Sequence, residues 1–186
     1  MRVGGMYSFN GGKTTVLSRY ANELEEIYQI ITSVDAKKTN KKESFSDIPL
    51  YRPSALNAAF KQRFESLHWQ SNIKVYCNYS TEYYLSDYVP PENLQKTYRK
   101  IDFLKNRLGI GIMFEEFSSM VYNVCAKMTI FHNENFIDVG VEIVPLKGLA
   151  NEMSTGVSYF EQFVWDLERR GVADIDIPVL ILGITA

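Results

Sequence analysis

A strand pattern in residues 101–117, IDFLKNRLGIGIMFEEF, constrains the fold more than any other part of the chain. From Leu108 onward the side chains alternate between two faces with period two, which predicts a β-strand. The apolar face suits a core and consists of Leu108, Ile110, Ile112 and Phe114. The other face consists of Gly109, Gly111, Met113 and Glu115. With Asp102 at the entrance of the stretch, this second face decides whether the strand belongs to a metal site.

Helices are predicted on both sides of this strand by apolar residues at spacings of three and four. The longer ones span residues 18–33, 53–67 and 158–170. Pro53 suits the first turn of the second helix, and Gly171 suits the end of the third. Three shorter segments are predicted as a brief helix in residues 91–95, a loop in residues 146–153, and either a helix or a strand in residues 118–128.

Further strands are predicted over residues 73–78, 136–144 and 178–184. The last of these, PVLILGI, is almost entirely apolar, as in a strand buried on both faces. Helices and strands that alternate in this way predict an α/β fold with a mixed central sheet flanked by helices. The length of 186 residues is enough for one domain with a substantial core, so residues 1–186 are predicted to form a single domain.

Composition and charge limit the cellular setting. The chain has no apolar window long enough for a membrane span and no apolar core of a signal peptide near its start. Cys77 and Cys125 have no metal-binding spacing and are expected to be reduced, small core residues of a cytoplasmic protein. The net charge of −2 gives no overall basic character, so any contact with nucleic acid needs a local basic surface.

Two segments resemble phosphate-binding elements. The sequence GGKTT at residues 11–15 would be a phosphate loop only with a glycine at position 7, which is Tyr7, and no apolar strand precedes it. A flexible turn is therefore expected there. Residues 35–47 are polar and rich in lysine, and they fit either a solvated linker or an arm that contacts phosphates.

Many separate segments give the chain a recognisable likeness to a known family. It resembles the BglII/BstYI group of type II restriction endonucleases, and BstYI more closely. The matching segments are residues 23–36, 50–61, 102–103 and 137–143, then positions 145, 147 and 153–159 of the following segment, and finally 178–184; IDVGVEI at 137–143 is the most specific. The resemblance implies a restriction-endonuclease-like PD-(D/E)XK core. It also implies a homodimer that binds a palindromic duplex DNA site with a GATC core and hydrolyses phosphodiester bonds with Mg²⁺.

The family's catalytic pattern is an aspartate, a glutamate nine positions further on, and a glutamine two positions after that. The two carboxylates hold the metal, which activates a water and stabilises charge on the phosphate. Carried over to this chain, the aspartate is Asp102, a catalytic and metal-binding residue. The glutamate position is Gly111 and the glutamine position is Met113. The motif is therefore incomplete along its own strand.

Three interpretations of this incomplete motif remain open. The chain could be a working Mg²⁺-dependent deoxyribonuclease whose second acid is Glu115, Glu142 or Glu26. Glu115 lies about 13 Å along the strand beyond Gly111, too far to replace the missing carboxylate without a change of register. The chain could instead be an inactive relative that keeps DNA binding or dimerisation. In the third interpretation Asp102 only caps a helix or a loop, and the chain has no role on DNA.

The resemblance also implies contacts with DNA. Ser154 and Thr155 match the serine-containing recognition loop of the family, and Lys147 lies in the same matching segment. Glu116 stands where relatives have a polar or basic residue near the bases. A carboxylate there can accept a hydrogen bond from cytosine N4 but repels phosphate.

Overall fold

A six-stranded mixed sheet forms the centre of the computed structural model, which describes residues 1–35, 37–39, 49–91, 97–114, 119–153 and 156–186. Its strands are β1 Arg2–Phe9, β4 Gln70–Tyr76, β5 Tyr98–Lys105, β6 Leu108–Ile112, β7 Val139–Pro145 and β8 Val179–Thr185. They lie in the order β1-β8-β7-β6-β5-β4, and only the pairs β6–β7 and β7–β8 are parallel. A separate two-stranded ribbon joins β2 Lys38–Thr39 and β3 Leu50–Tyr51.

Helices cover both faces of the sheet. The described helices are α1 Gly12–Arg19, α2 Ala21–Ser33, α3 Pro53–Ser66, α5 Lys147–Asn151, α6 Phe160–Arg170, and a composite helix α4 formed by Met120–Tyr122, the π-helical turn Asn123–Lys127, and Met128–Asn133. Apolar side chains of α1, α2, α3 and α5 share one core cluster with the sheet, and those of α4 and α6 share the other. This arrangement confirms the predicted α/β fold with a mixed sheet flanked by helices.

Strand β6 has the two faces that its sequence predicts. Leu108, Ile110 and Phe114 lie in the cluster beneath α3, where the rings of Phe114 and Phe60 are 6.0 Å apart. Met113 lies in the opposite cluster. The parallel strands β7 and β8 are buried along nearly their whole length, which accounts for their almost continuous apolar sequences.

The prediction of a flexible turn at residues 11–15, with no strand before it, is wrong. Strand β1 precedes the segment, and helix α1 begins at Gly12. Because β1 is an edge strand with alternate residues exposed, its sequence is less apolar than that of a central strand. Gly12 lies against β8 so closely that a Cβ atom there would be 2.6 Å from the amide nitrogen of Leu180. The helix predicted over residues 18–33 is accordingly two helices, which meet at Tyr20.

Several smaller predictions also need correction. Asp102 lies within its own strand, β5, which a two-residue turn of Asn106 and Arg107, both with positive φ, connects to β6. Residues 147–151, expected to be part of a loop, form helix α5, because Leu149 and Ala150 pack into the core. The segment left open between helix and strand, residues 118–128, is helical from Met120 onward, and residue 118 lies outside the described residues.

The remaining predictions have mixed outcomes. Helices α3 and α6 lie where the sequence places them. Cys77 and Cys125 are free thiols but only partly buried. The predicted short helix at residues 91–95 falls almost wholly outside the described residues, as does most of the lysine-rich segment 35–47. Among the residues that the structure describes, every helix is too short or too polar to cross a lipid bilayer.

Candidate active site

Asp102 lies at an irregular point of β5. Ile101 packs into the core cluster beneath α4, whereas Phe103 packs into the opposite cluster, so the normal alternation of side chains is interrupted between them. The Asp102 carboxylate accepts a hydrogen bond from the amide of Ile112 at 2.9 Å and lies 3.2 Å from the ammonium group of Lys100. Its side chain remains 24% exposed. Asp102 is therefore a fixed, partly accessible carboxylate in a strand, and not the cap of a helix or a loop.

A pocket of about 290 Å³ surrounds this carboxylate. It is lined by Asn57, Lys61, Ser71, Asn72, Lys100, Asp102, Phe103, Ile112, Met113, Ser119, Asn123 and Lys127. Three of these residues are lysines and one is an acid, so the pocket carries a net positive charge although the whole chain does not. Such a pocket attracts an anion such as a phosphate group, while the single acid gives a hard cation one oxygen ligand.

The π-helical turn of α4 supplies one wall of the pocket. Asn123 begins this turn and Lys127 ends it, and both line the pocket. A π-turn inserts one extra residue per turn and changes the direction of the side chains that follow, which is why such turns are frequent at functional sites. Helix α4 therefore supplies an amide and an ammonium group to the pocket that holds Asp102.

Next to the pocket, Glu142 occupies the space that Gly111 leaves free. The two residues are paired in register on the parallel strands β6 and β7, so they face the same side of the sheet. A Cβ atom built on Gly111 would lie 2.5 Å from Oε1 and 2.6 Å from Cδ of Glu142. The carboxylate of β7 thus covers the position on β6 where a side chain of residue 111 would begin.

The Glu142 carboxylate is buried. The residue has no exposed surface, and neither carboxylate oxygen has a hydrogen-bond partner among the residues that the structure describes. Burial raises the pKa of Glu142 to about 7, the nearby Lys127 lowers it, and the charge of Asp102 raises it further. Because burying an acid without donors is costly, the site suits a group that would satisfy these oxygens, and a divalent cation is one such group.

Met113 occupies the position that the family pattern gives to glutamine, and it contributes neither a carboxylate nor an amide. Its side chain is buried, and its sulfur lies 3.2 Å from the amide nitrogen of Asn123. The described residues contain no cluster of three or more His, Cys, Asp or Glu side chains. A cation in the pocket would therefore depend on at most two carboxylates of the described chain, with further oxygens from water or a bound phosphate.

The other predicted site residues lie apart from this pocket or outside the described residues. Glu26 is held by Lys105, at 2.7 Å, and by the indole N–H of Trp69, at 2.8 Å, and it does not line the pocket. Lys147 is exposed, with its ammonium group 5.5 Å from the centre of the Tyr159 ring. Four predicted residues lie outside the described part of the chain: Glu115, Glu116, Ser154 and Thr155.

Several pocket residues carry no local signal in the sequence. Lys61 comes from α3, Lys100 from β5 and Lys127 from α4, and no fixed spacing relates them to Asp102. Glu142 was one of three candidates for the second acid, but only the register of two parallel strands places it over Gly111. A regular strand pattern cannot show which residue of a distant strand lies alongside.

Comparisons with known proteins match this chain to restriction endonuclease BglII and its family. A family model described as "Restriction endonuclease BglII/BglIII" matches residues 5–184. The crystal structure of restriction endonuclease BglII complexed with a DNA 16-mer is similar with a TM-score of 0.75 and 16% identity, covering 100% of this chain and 79% of that chain. The crystal structure of free BglII has a TM-score of 0.66 at 15% identity, with 100% and 80% covered. Curated protein sequences gave no match.

Proposed function

Because the chain belongs to the BglII/BglIII restriction endonuclease family, as the match over residues 5–184 shows, we propose that it is a Mg²⁺-dependent endonuclease of duplex DNA. The reaction would take place in the pocket around Asp102. The observation that carries the proposal is the combination in this pocket of one fixed carboxylate with Lys61, Lys100 and Lys127. A bound phosphodiester would neutralise the lysines, and a hard cation would neutralise the carboxylate.

The residues fit a divalent cation in two respects. The Asp102 carboxylate is partly accessible, and the buried carboxylate of Glu142 lacks a donor among the described residues. Bound Mg²⁺ would supply a water of lowered pKa and stabilise charge on the phosphate. In the free protein Lys100 neutralises Asp102, so binding the cation requires this ammonium group to move from the carboxylate.

Other pocket residues would bind and orient the DNA backbone. The ammonium groups of Lys61 and Lys127 attract the phosphate, and the amides of Asn57, Asn72 and Asn123 can donate hydrogen bonds to its oxygens. Because these groups come from three different elements, they would hold the phosphate in one orientation relative to Asp102.

Cleavage of defined duplexes tests the proposal. The purified protein is incubated with Mg²⁺ or Mn²⁺ and labelled duplexes that contain a GATC core or a scrambled site. We expect specific cleavage that is lost in Asp102→Asn and retained in Asp174→Asn, a change of an exposed aspartate outside the pocket. Absence of cleavage by the wild-type protein under all these conditions would contradict the proposed activity.

A second candidate function is DNA binding without cleavage. The observation that favours it is that Gly111 and Met113, at the motif's glutamate and glutamine positions, provide no metal ligand or polar group on β6. A gel-shift assay separates the two functions, since an inactive relative would bind a GATC-core duplex and leave it intact. Binding should weaken with rising salt, because lysine–phosphate contacts release counterions. Absence of any binding would leave the chain without a role on DNA.

The proposal also covers the oligomeric state, the cellular location, the recognition site and the relationship to BstYI. We propose a homodimer acting in the cytoplasm on a palindromic site with a GATC core, and a closer relationship to BstYI than to BglII. Support for these points comes from the sequence resemblance. Light scattering of the protein with and without a palindromic duplex tests the dimer, and selection of cleaved sequences from a random library tests the GATC core. A monomer on DNA, or a selected site without GATC, would contradict them.

A further inference from the structure

The proposed activity lacks a second metal-holding carboxylate on β6. Asp102 by itself gives a cation one protein ligand, and Mg²⁺ in proteins is held through one or two carboxylates together with substrate phosphates. The residue at the expected position is Gly111. A second ligand would therefore have to come from another described carboxylate near Asp102.

Glu142 is not among the residues that line the pocket, but three observations relate its carboxylate to the missing position on β6. It is paired with Gly111, and the next residue, Ile112, donates its amide hydrogen to Asp102, so the two acids contact adjacent residues of β6 from the neighbouring strands β7 and β5. Its carboxylate covers the position of the missing Cβ atom. Both of its oxygens are buried and have no hydrogen-bond partner in the described part of the chain. The electrostatic influence of Asp102 and Lys127 on its pKa agrees with this proximity.

Glu26, the other described candidate, does not meet the requirement. Its carboxylate is already satisfied by Lys105 and Trp69. A satisfied carboxylate would have to break an ion pair and move before it could bind the same cation as Asp102.

We propose that Glu142 supplies the second metal-holding carboxylate, moved from β6 to the neighbouring strand β7, and that Gly111 is a glycine because this carboxylate needs its space. The inference rests on the proposed function for the identity of the ligand, a divalent cation. It predicts that residues 111 and 142 are interdependent. A side chain at position 111 excludes the Glu142 carboxylate from its present place, and removal of that carboxylate makes room for a side chain at position 111.

Metal binding is the direct test, and it does not depend on cleavage. Binding of Mn²⁺ to the full chain is measured by electron paramagnetic resonance of the free ion, in the presence of a GATC-core duplex. The near-isosteric Glu142→Gln should weaken Mn²⁺ binding by about 10-fold or more, as Asp102→Asn should. Asp174→Asn is the matched control and should bind like the wild type. The double variant Gly111→Glu/Glu142→Ala returns a carboxylate to β6 and should bind more tightly than Glu142→Ala alone.

The outcomes separate this inference from the proposed function. Mn²⁺ binding that requires both Asp102 and Glu142 supports the inference even if no DNA is cleaved, in which case only the endonuclease activity fails. Wild-type affinity in Glu142→Gln overturns the inference even if DNA is cleaved. Absence of Mn²⁺ binding by the wild-type protein also overturns it. Thermal unfolding verifies that each variant is folded, and the conclusion rests on Glu142→Gln if the double variant is not.

Discussion

Replacing Glu142 by glutamine should make the metal-free protein more stable at neutral and alkaline pH. The folded-state pKa of Glu142 is raised from 4.5 to about 7, so the folded protein binds this proton more tightly than the unfolded chain does. Wild-type stability should therefore fall as the pH rises through the range from 4.5 to about 7 and then level off. The glutamine variant lacks this group and should not show the loss.

The magnitude follows from linkage between proton binding and folding. With these two pKa values, the Glu142 contribution to the unfolding free energy changes by about 2–3 kcal/mol between pH 5 and pH 8. The cost of burying an uncharged amide does not depend on pH, so it cancels when the wild-type-to-variant difference is compared at the two pH values. In a protein of this size, a change of about 2–3 kcal/mol corresponds to roughly 5–10 °C in Tm.

Urea denaturation in EDTA, followed by tryptophan fluorescence at several pH values, measures this difference. The slope m should be the same for both proteins, so that the change lies in stability alone. Asp102→Asn is an informative control, because removal of the charge that raises the Glu142 pKa should move the fall in stability to lower pH. A wild-type-to-variant difference that is constant from pH 5 to pH 8 would refute the reasoning, since it would mean that Glu142 titrates like a solvated carboxylate.

Four further substitutions have expected outcomes in the same denaturation assay. Gly111→Ala should destabilise the wild-type protein by about 1–3 kcal/mol through contact with the Glu142 carboxylate, and by clearly less in a Glu142→Ala background. Asp138→Asn should lower the free energy of unfolding by less than about 1 kcal/mol at pH 7. Because hydrogen bonds from Arg107 lower the pKa of Asp138, the stabilisation by this ion pair should disappear as the pH falls through the lowered folded-state pKa. Gly12→Ala should lower the free energy of unfolding by more than about 3 kcal/mol, because the backbone of β8 leaves no space for a Cβ atom. Gly148→Ala should be neutral or stabilising, because no atom lies within 4 Å of the position of its Cβ atom.

The parts of the fold that the sequence predicted are those determined by local pattern. Strand β6 shows its two faces in a simple alternation, and α3 shows its start in Pro53. The parts that it did not predict depend on contacts distant in sequence. Helix α1 begins at Gly12 because that residue packs against the backbone of β8, more than 160 residues later, and β1 is recognisable as a strand only once β8 is its neighbour.

The same distinction applies to the candidate site. Asp102 could be identified from its place in the motif, and Gly111 and Met113 could be recognised as departures from it. The position of Glu142 over Gly111 could not be derived, because it depends on the register between β6 and β7. A motif is read along one strand, whereas the ligands of a cation need only converge in space. A gap in the motif therefore does not by itself establish that a carboxylate is missing from the site.

The energetics of Glu142 bear on the choice between an active and an inactive protein. At pH 8 an ionised, buried carboxylate without donors reduces the stability of the metal-free protein by about 3 kcal/mol relative to a solvated one, a large part of the 5–15 kcal/mol typical of a folded protein. A protein that had lost its metal chemistry would gain stability by replacing this side chain with an uncharged one. Strained or desolvated charged groups are characteristic of functional sites, where a ligand offsets their cost. Glu142 has this character, and the charge of Asp102, the carboxylate that the family motif identifies, acts on its pKa. This reasoning supports the proposal of a cation-binding site, and metal binding by Glu142→Gln is the measurement that decides between a cation-binding and a decayed site.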